Sequence, residues 1–177
     1  ADPLEPIDVV VPNRNVEAWL KLQVARRAGI AANLRCEFLR ALLARLVRES
    51  APGQRLVEGD ALLGLVLALL LDDDALAHAD LGAVRDYLRA GGSEGAIDVR
   101  RHQLATRLAH LFEEYAYSRA EMLAAWQSGG AAADPVALWQ RRLWLAIFGA
   151  GGLLQRRAAQ SRTRAIPLHA CLEALAL

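Results

Sequence analysis

The stretch VVVPNRNVEAWL, residues 9–20, decides how the rest of the chain is read. It closes an apolar, β-branched run, IDVVV at residues 7–11, with the composition of a strand covered on both faces. Pro12 stops that strand because it cannot donate to a ladder. Asn13 or Asn15 can cap the helix that begins at once, and Glu17 lies in its first turn, where the helix dipole favours a carboxylate. Val16, Leu20 and Val24 recur at four-residue spacing beside Trp19, and Gly29 closes the helix as a left-handed C-cap. A strand that turns directly into a helix is a place where α/β proteins hold phosphates, yet this turn contains no glycine.

Working outward, IAANLRCEF at residues 30–38 reads as a second brief strand or an extended link. From Phe38 the periodicity is helical to the end, with helices expected over 38–49, 59–71, 81–90, 96–117, 120–127, 135–148 and 167–176. The expected fold is therefore mainly α: a small N-terminal α/β remnant of two short strands in residues 1–50, then a helical lobe over 51–177. Two strands and one connecting helix do not make a self-sufficient sheet. The reading accordingly expects a fragment lacking at least one strand before residue 1.

Composition supports helix over sheet. Of 177 residues, 54% are hydrophobic and only 6% aromatic, so the apolar mass is mainly Leu and Ala. The segment ALLGLVLALLL, residues 61–71, is too short to span a bilayer and reads as a buried helix; nothing resembles a signal peptide. Cys36 and Cys171 form no ligand spacing and are expected as buried, reduced thiols of a cytoplasmic protein. The net charge of +1 hides an uneven layout. Residues 14–55 carry nine basic and three acidic side chains, and residues 56–134 carry six and thirteen. Residues 135–172 carry six arginines and no acid. That asymmetry either lines a groove with positive charge or is neutralised across helix contacts.

Motifs for chemistry are missing. No phosphate loop, nucleophile elbow, zinc-protease helix or two-metal acidic cluster is present, so no catalytic residue, cofactor or metal ligand is assigned. Asp72, Asp73 and Asp74 lie between apolar helices and read as a solvated connection. His110, with Glu113 and Glu114 three and four residues on, reads as a surface pair. In residues 96–117, Leu104, Leu108, Leu111 and Tyr115 form one stripe with Phe112 beside it, opposite Arg100, Arg107, His110, Glu113, Glu114 and Tyr117, and Arg119 follows. Trp139 and Trp144 read as core anchors, with Arg141 and Arg142 between them facing water.

Taken together, several stretches resemble the family of the exodeoxyribonuclease V gamma subunit, RecC. The lead DPLEP at residues 2–6, the apolar run at 7–11, the polar turn at 12–15, Trp19 with Leu20, and GIAAN at 29–33 resemble its N-terminal region in order. Downstream, LAHLFEEYAYSRAEMLAAW (108–126) and LWQRRLWLAI (138–147) resemble two further family segments. The turn departs from the best-known members, with Pro12, Asn13 and Arg14 standing where they have a Gln/Ser/Thr/Gly-rich sequence.

The resemblance implies a partial helicase-like α/β subdomain without its nucleotide site, carrying a helical insertion. It also implies a non-catalytic subunit that binds single-stranded DNA beside beta (RecB-like) and alpha (RecD-like) subunits, with no membrane role. By correspondence the DNA-facing residues would be Asn13, Arg14, Asn15, Glu113 and Arg119, with Arg162 and Arg164 of the basic C-terminal stretch near them. Side-chain amides, a cation and helix N-terminal amides can meet a phosphate backbone without glycine. Two alternatives stand beside this: a protein-docking helical module that never touches DNA, and a subunit of the related AddB/RexB type.

Overall fold

The computed structural model describes residues 5–50, 53–130, 134–159 and 164–175. It divides into two compact units, Ala1–Pro52 and Gly53–Leu177.

In the first unit, strand β1 (Ile7–Val10) leads through helix α1 (Arg14–Ala28) to strand β2 (Leu34–Glu37), followed by helix α2 (Leu39–Ser50). The two strands are parallel, in register from Ile7 opposite Leu34 to Val10 opposite Glu37. A helical crossover is what a parallel pair requires. Asn13 is the N-cap of α1, its side-chain oxygen accepting from the Val16 amide at 2.9 Å. Gly29 ends α1 with φ of 81°, the left-handed geometry that favours glycine. Arg45 of α2 donates to Glu37 of β2 and to Asp8 of β1, tying the helix to both strands. The buried hydrophobic residues described here are Val11, Leu43 and Val47. One expectation is corrected: β1 is not covered on both faces, since Ile7 is 54% and Val10 46% exposed. No residue of α1 is buried, and Trp19 is 60% exposed.

The second unit begins with strand β3 (Gln54–Val57) and helix α3 (Gly59–Leu70), then the short helix α4 (Asp73–Leu76) and a single 3₁₀ turn, Ala79–Leu81. Helices α5 (Gly82–Arg89), α6 (Glu94–Ser118), α7 (Ala120–Gln127), α8 (Pro135–Phe148) and α9 (Leu153–Ala158) follow, then strand β4 (Arg164–Pro167) and helix α10 (Leu168–Leu175). The apolar helix expected at 59–71 is central: Leu62, Leu65, Val66, Leu69 and Leu70 are buried with Ala105, Leu108 and Phe112 of α6 and Leu143, Trp144 and Ile147 of α8. Caps mark the boundaries that the sequence advertises. Ser93 accepts from the Ala96 amide, and Asp134 accepts from the Ala137 amide ahead of Pro135. Asp72, in the acidic triplet, caps α4 by accepting from the Ala75 amide at 3.0 Å.

The mainly helical fold with a small N-terminal α/β part agrees with the sequence reading, but the strand inventory differs. β3 and β4 form a second parallel pair, from Gln54 opposite Arg164 to Val57 opposite Pro167, in a region read as wholly helical. Four-residue strands are too short for alternation to register, and this pairing joins the two ends of the unit. The short helices Asp73–Leu76 and Leu153–Ala158 likewise lie where the sequence pattern predicts connections.

Candidate nucleic-acid interface

Pro12, Asn13, Arg14 and Asn15 are all exposed on the first unit. β1 ends just before them and α1 starts within them, so the turn presents a helix N-terminus to solvent. The Asn13 side-chain oxygen and backbone carbonyl are taken by the Val16 and Glu17 amides, which leaves its Nδ2 as a donor. The amides of Arg14 and Asn15 open the first turn, where helix geometry offers no intrahelical acceptor. Arg14 makes no ion pair among the described residues. Three kinds of donor, side-chain amide, backbone amide and guanidinium, thus sit in three consecutive residues, beside the positive end of a 15-residue helix. Glu17 does not oppose them directly, because it forms an i,i+4 pair with Lys21 at 2.7 Å. That bond raises the lysine's pKa.

On the second unit the expected residues separate. Arg119 is exposed where α6 meets α7; its amide donates to the Tyr115 carbonyl at 2.8 Å and its carbonyl accepts from Leu123. Glu113, expected on the same DNA-facing groove, is corrected: it is only 6% exposed, and its carboxylate accepts from the Gly59 amide at 2.5 Å. Gly59 opens α3, so Glu113 serves as an acidic cap supplied from another helix, which the α3 dipole favours. His110 meets Glu114 at 3.5 Å on the surface, as the spacing suggests, while Glu113 turns inward. Arg164 opens β4, exposed, its amide donating to Gly53 at 3.1 Å. It pairs with Gln54, at the end of β3 away from Gly59, so strand geometry sets it roughly 10 Å along the sheet from Val57, where β3 leads into α3. Arg162 lies outside the described residues.

The interior of this unit is aromatic. Tyr115, Trp126, Trp144 and Phe148 form a chain of ring contacts that reaches His169 on α10, whose ring lies 4.9 Å from Trp144 and 5.4 Å from Phe148. Burial lowers the His169 pKa to about 4, so the imidazole is neutral near pH 7. Burial raises Tyr115, against the opposing pull of Arg119 and of its hydrogen bond to Gln140. Cys171 is a buried free thiol with a raised pKa, while Cys36 is only half-buried. Trp144 is a core anchor as expected, and Trp139 packs half-buried against the same core.

Arg142 of α8, exposed as the sequence suggests, and Arg156 of α9 line one cavity of about 540 Å³, a juxtaposition the sequence does not announce. The available signal was the run without acids at residues 135–172. Among the described residues no group of three His, Cys, Asp or Glu side chains is arranged to hold a metal ion, and no helix is long and apolar enough to cross a membrane.

Comparison with known proteins places this geometry in context. The family model described as the N-terminal domain of RecC matches residues 1–175. The RecBCD enzyme subunit RecC of Haemophilus influenzae is 25% identical over 131 residues, covering 72% of this chain and 11% of that protein. The RecC subunit of Escherichia coli K12 is 26% identical over 152 residues, and that of Mycolicibacterium smegmatis 30% over 149, each covering 82% of this chain and 13% of the relative. The chain therefore spans 11–13% of the length of the curated relatives it matches. These matches do not favour the AddB/RexB-type alternative.

Proposed function

The chain belongs to the RecC N-terminal domain family, and from that premise we propose that it is a DNA-binding, non-catalytic part of a helicase–nuclease complex acting in double-strand break repair. Its partners in this proposal are single-stranded DNA and the beta (RecB-like) and alpha (RecD-like) subunits, in the cytoplasm. The single observation that carries the proposal is the family match across residues 1–175. The exposed Asn13, Arg14 and Asn15 support it in detail, because they offer donors suited to a phosphate backbone and contain no carboxylate. Arg119 and Arg164 are the further proposed contacts; Glu113 drops out because its carboxylate is committed to α3.

The test is anisotropy of fluorescent oligothymidylate titrated with the parent chain and with an Arg14→Ala/Arg119→Ala variant at several salt concentrations. Each lost phosphate contact is expected to reduce the log–log salt slope by about 0.7. Equal affinity and equal slope for the two proteins would mean that Arg14 and Arg119 contact no phosphate, and the protein-docking reading would then lead; no measurable binding by the parent chain would refute the DNA-binding reading.

A second reading, protein docking, is favoured by one observation: Ile7, Trp19, Leu22, Ile30 and Phe38 of the first unit are each more than a third exposed. Under that reading Trp19→Ser weakens co-purification with the beta subunit and leaves DNA affinity unchanged.

A further inference from the structure

The cavity holding Arg142 and Arg156 has a floor of Leu69, Leu81 and Leu145 and a rim formed by residues 149–152. Its volume, about 540 Å³, falls within the range of sites that take small ligands. At Gly149 and Gly152 the rim is bare backbone for steric reasons. A Cβ on Gly149 would stand 2.6 Å from the Leu145 carbonyl oxygen, and one on Gly152 would stand 2.6 Å from that of Ile147. The two cations are not used up by the fold. Among the described residues neither makes an ion pair, and Arg156 is steadied on the rim by donating to the Gly151 carbonyl at 3.2 Å. No carboxylate occurs between residues 135 and 172 to neutralise them from α8, α9 or the loop between.

One acid faces the cavity. Asp72 lines it from the start of α4, with Oδ1 accepting from the Ala75 amide. Two guanidinium groups against one carboxylate leave the lining with a single net positive charge. That balance matches a phosphodiester, which carries one negative charge, and penalises a phosphomonoester or inorganic phosphate, whose second charge meets Asp72. Guanidinium forks match phosphate oxygens in geometry, and the apolar floor suits a sugar or base face.

We propose that this cavity is a subsite for one internal phosphodiester of a nucleotide chain, held between Arg142 and Arg156, with Asp72 excluding dianionic phosphates. The proposal rests on the DNA-binding reading for the origin of its ligand but not for its chemistry. No residue of the turn at 12–15 takes part in it.

The test uses the whole 177-residue chain with three probes: thymidylyl-thymidine, which carries one phosphodiester, thymidine monophosphate, and fluorescent oligothymidylate. The two small probes are followed by phosphorus NMR and the oligomer by anisotropy. Arg142→Gln/Arg156→Gln is expected to weaken the dinucleotide at least tenfold and to lower the oligomer's salt slope by about 0.7, one phosphate's worth. Asp72→Asn keeps the Oδ1 cap for Ala75 and removes the charge. It is expected to improve thymidine monophosphate binding severalfold more than dinucleotide binding, which a merely structural role for Asp72 would not do. Ala150→Glu, an exposed change on the rim, is expected to weaken the dinucleotide as the arginine variant does.

Unchanged dinucleotide affinity in both the double arginine variant and Ala150→Glu overturns the subsite, even if the oligomer still binds. Equal gains for monophosphate and dinucleotide in Asp72→Asn overturn the charge selection. If the parent binds the dinucleotide but not the oligomer, the subsite stands as a small-nucleotide site and the strand-binding reading falls.

Discussion

Replacing Glu113 with alanine separates a residue that faces DNA from one that holds the fold. In the structure the carboxylate is buried and accepts from the amide that opens α3. Removing it strips an acceptor from a partly buried donor, which costs about 1–3 kcal/mol. It also removes a favourable charge from a helix N-terminus, worth a further 0.3–1 kcal/mol or so. A loss of about 2 kcal/mol follows, and for a unit of this size that lowers Tm by roughly 5–10 °C. Glu113→Gln keeps an acceptor in place and forfeits mainly the charge, so its melt falls between the two. The assay is thermal unfolding by circular dichroism at pH 7, paired with oligothymidylate titration of each folded variant at low temperature. The expected outcome is an ordered loss of stability with DNA affinity unchanged. An Ala variant that melts with the parent but binds DNA differently would refute the capping role and return Glu113 to the DNA-facing surface.

His169 makes stability depend on pH. Its folded pKa of about 4 lies below the ordinary 6.5, so the unfolded chain binds more protons between those values. The stabilisation is complete above about pH 6.5 and is lost as pH falls towards 4, by at most roughly 3 kcal/mol at 1.4 kcal/mol per tenfold change in proton affinity. Urea midpoints measured from pH 7 to 4.5 should fall less steeply for His169→Leu than for the parent; parallel curves would contradict the assignment. At the turn, Asn13→Ala loses the cap on Val16 and is expected to cost about 1 kcal/mol, whereas Asn13→Ser restores most of it. Amide exchange in α1 reads this directly, and equal protection in the two variants would mean that the side chain does not cap the helix.

Several local features were legible because neighbours in sequence enforce them. Asn13 caps α1 and Gly29 closes it because each acts on amides or dihedrals within a few residues. The α3 helix, apolar from Ala61 onward, had to be buried, and the stripe of Leu104, Leu108 and Leu111 had to face a core, because a helix repeats its faces at a fixed period. The exposed turn at Asn13, Arg14 and Asn15 followed from the same local grammar. What tertiary structure decided are the contacts between residues far apart in the chain. β3 and β4 are each four residues long and become strands only by pairing with each other, so neither carries a period of its own. Glu113 shares a helix face with residues that look solvated, and its inward turn depends on where the α3 N-terminus lies, which helical period cannot state. The neutrality of His169 comes from Trp144 and Phe148 closing around it. Arg142 and Arg156 acquire a shared cavity only because α3, α8 and α9 meet there. Sequence sets what each segment prefers by itself; burial and the desolvation of charge are properties of the neighbours that packing supplies.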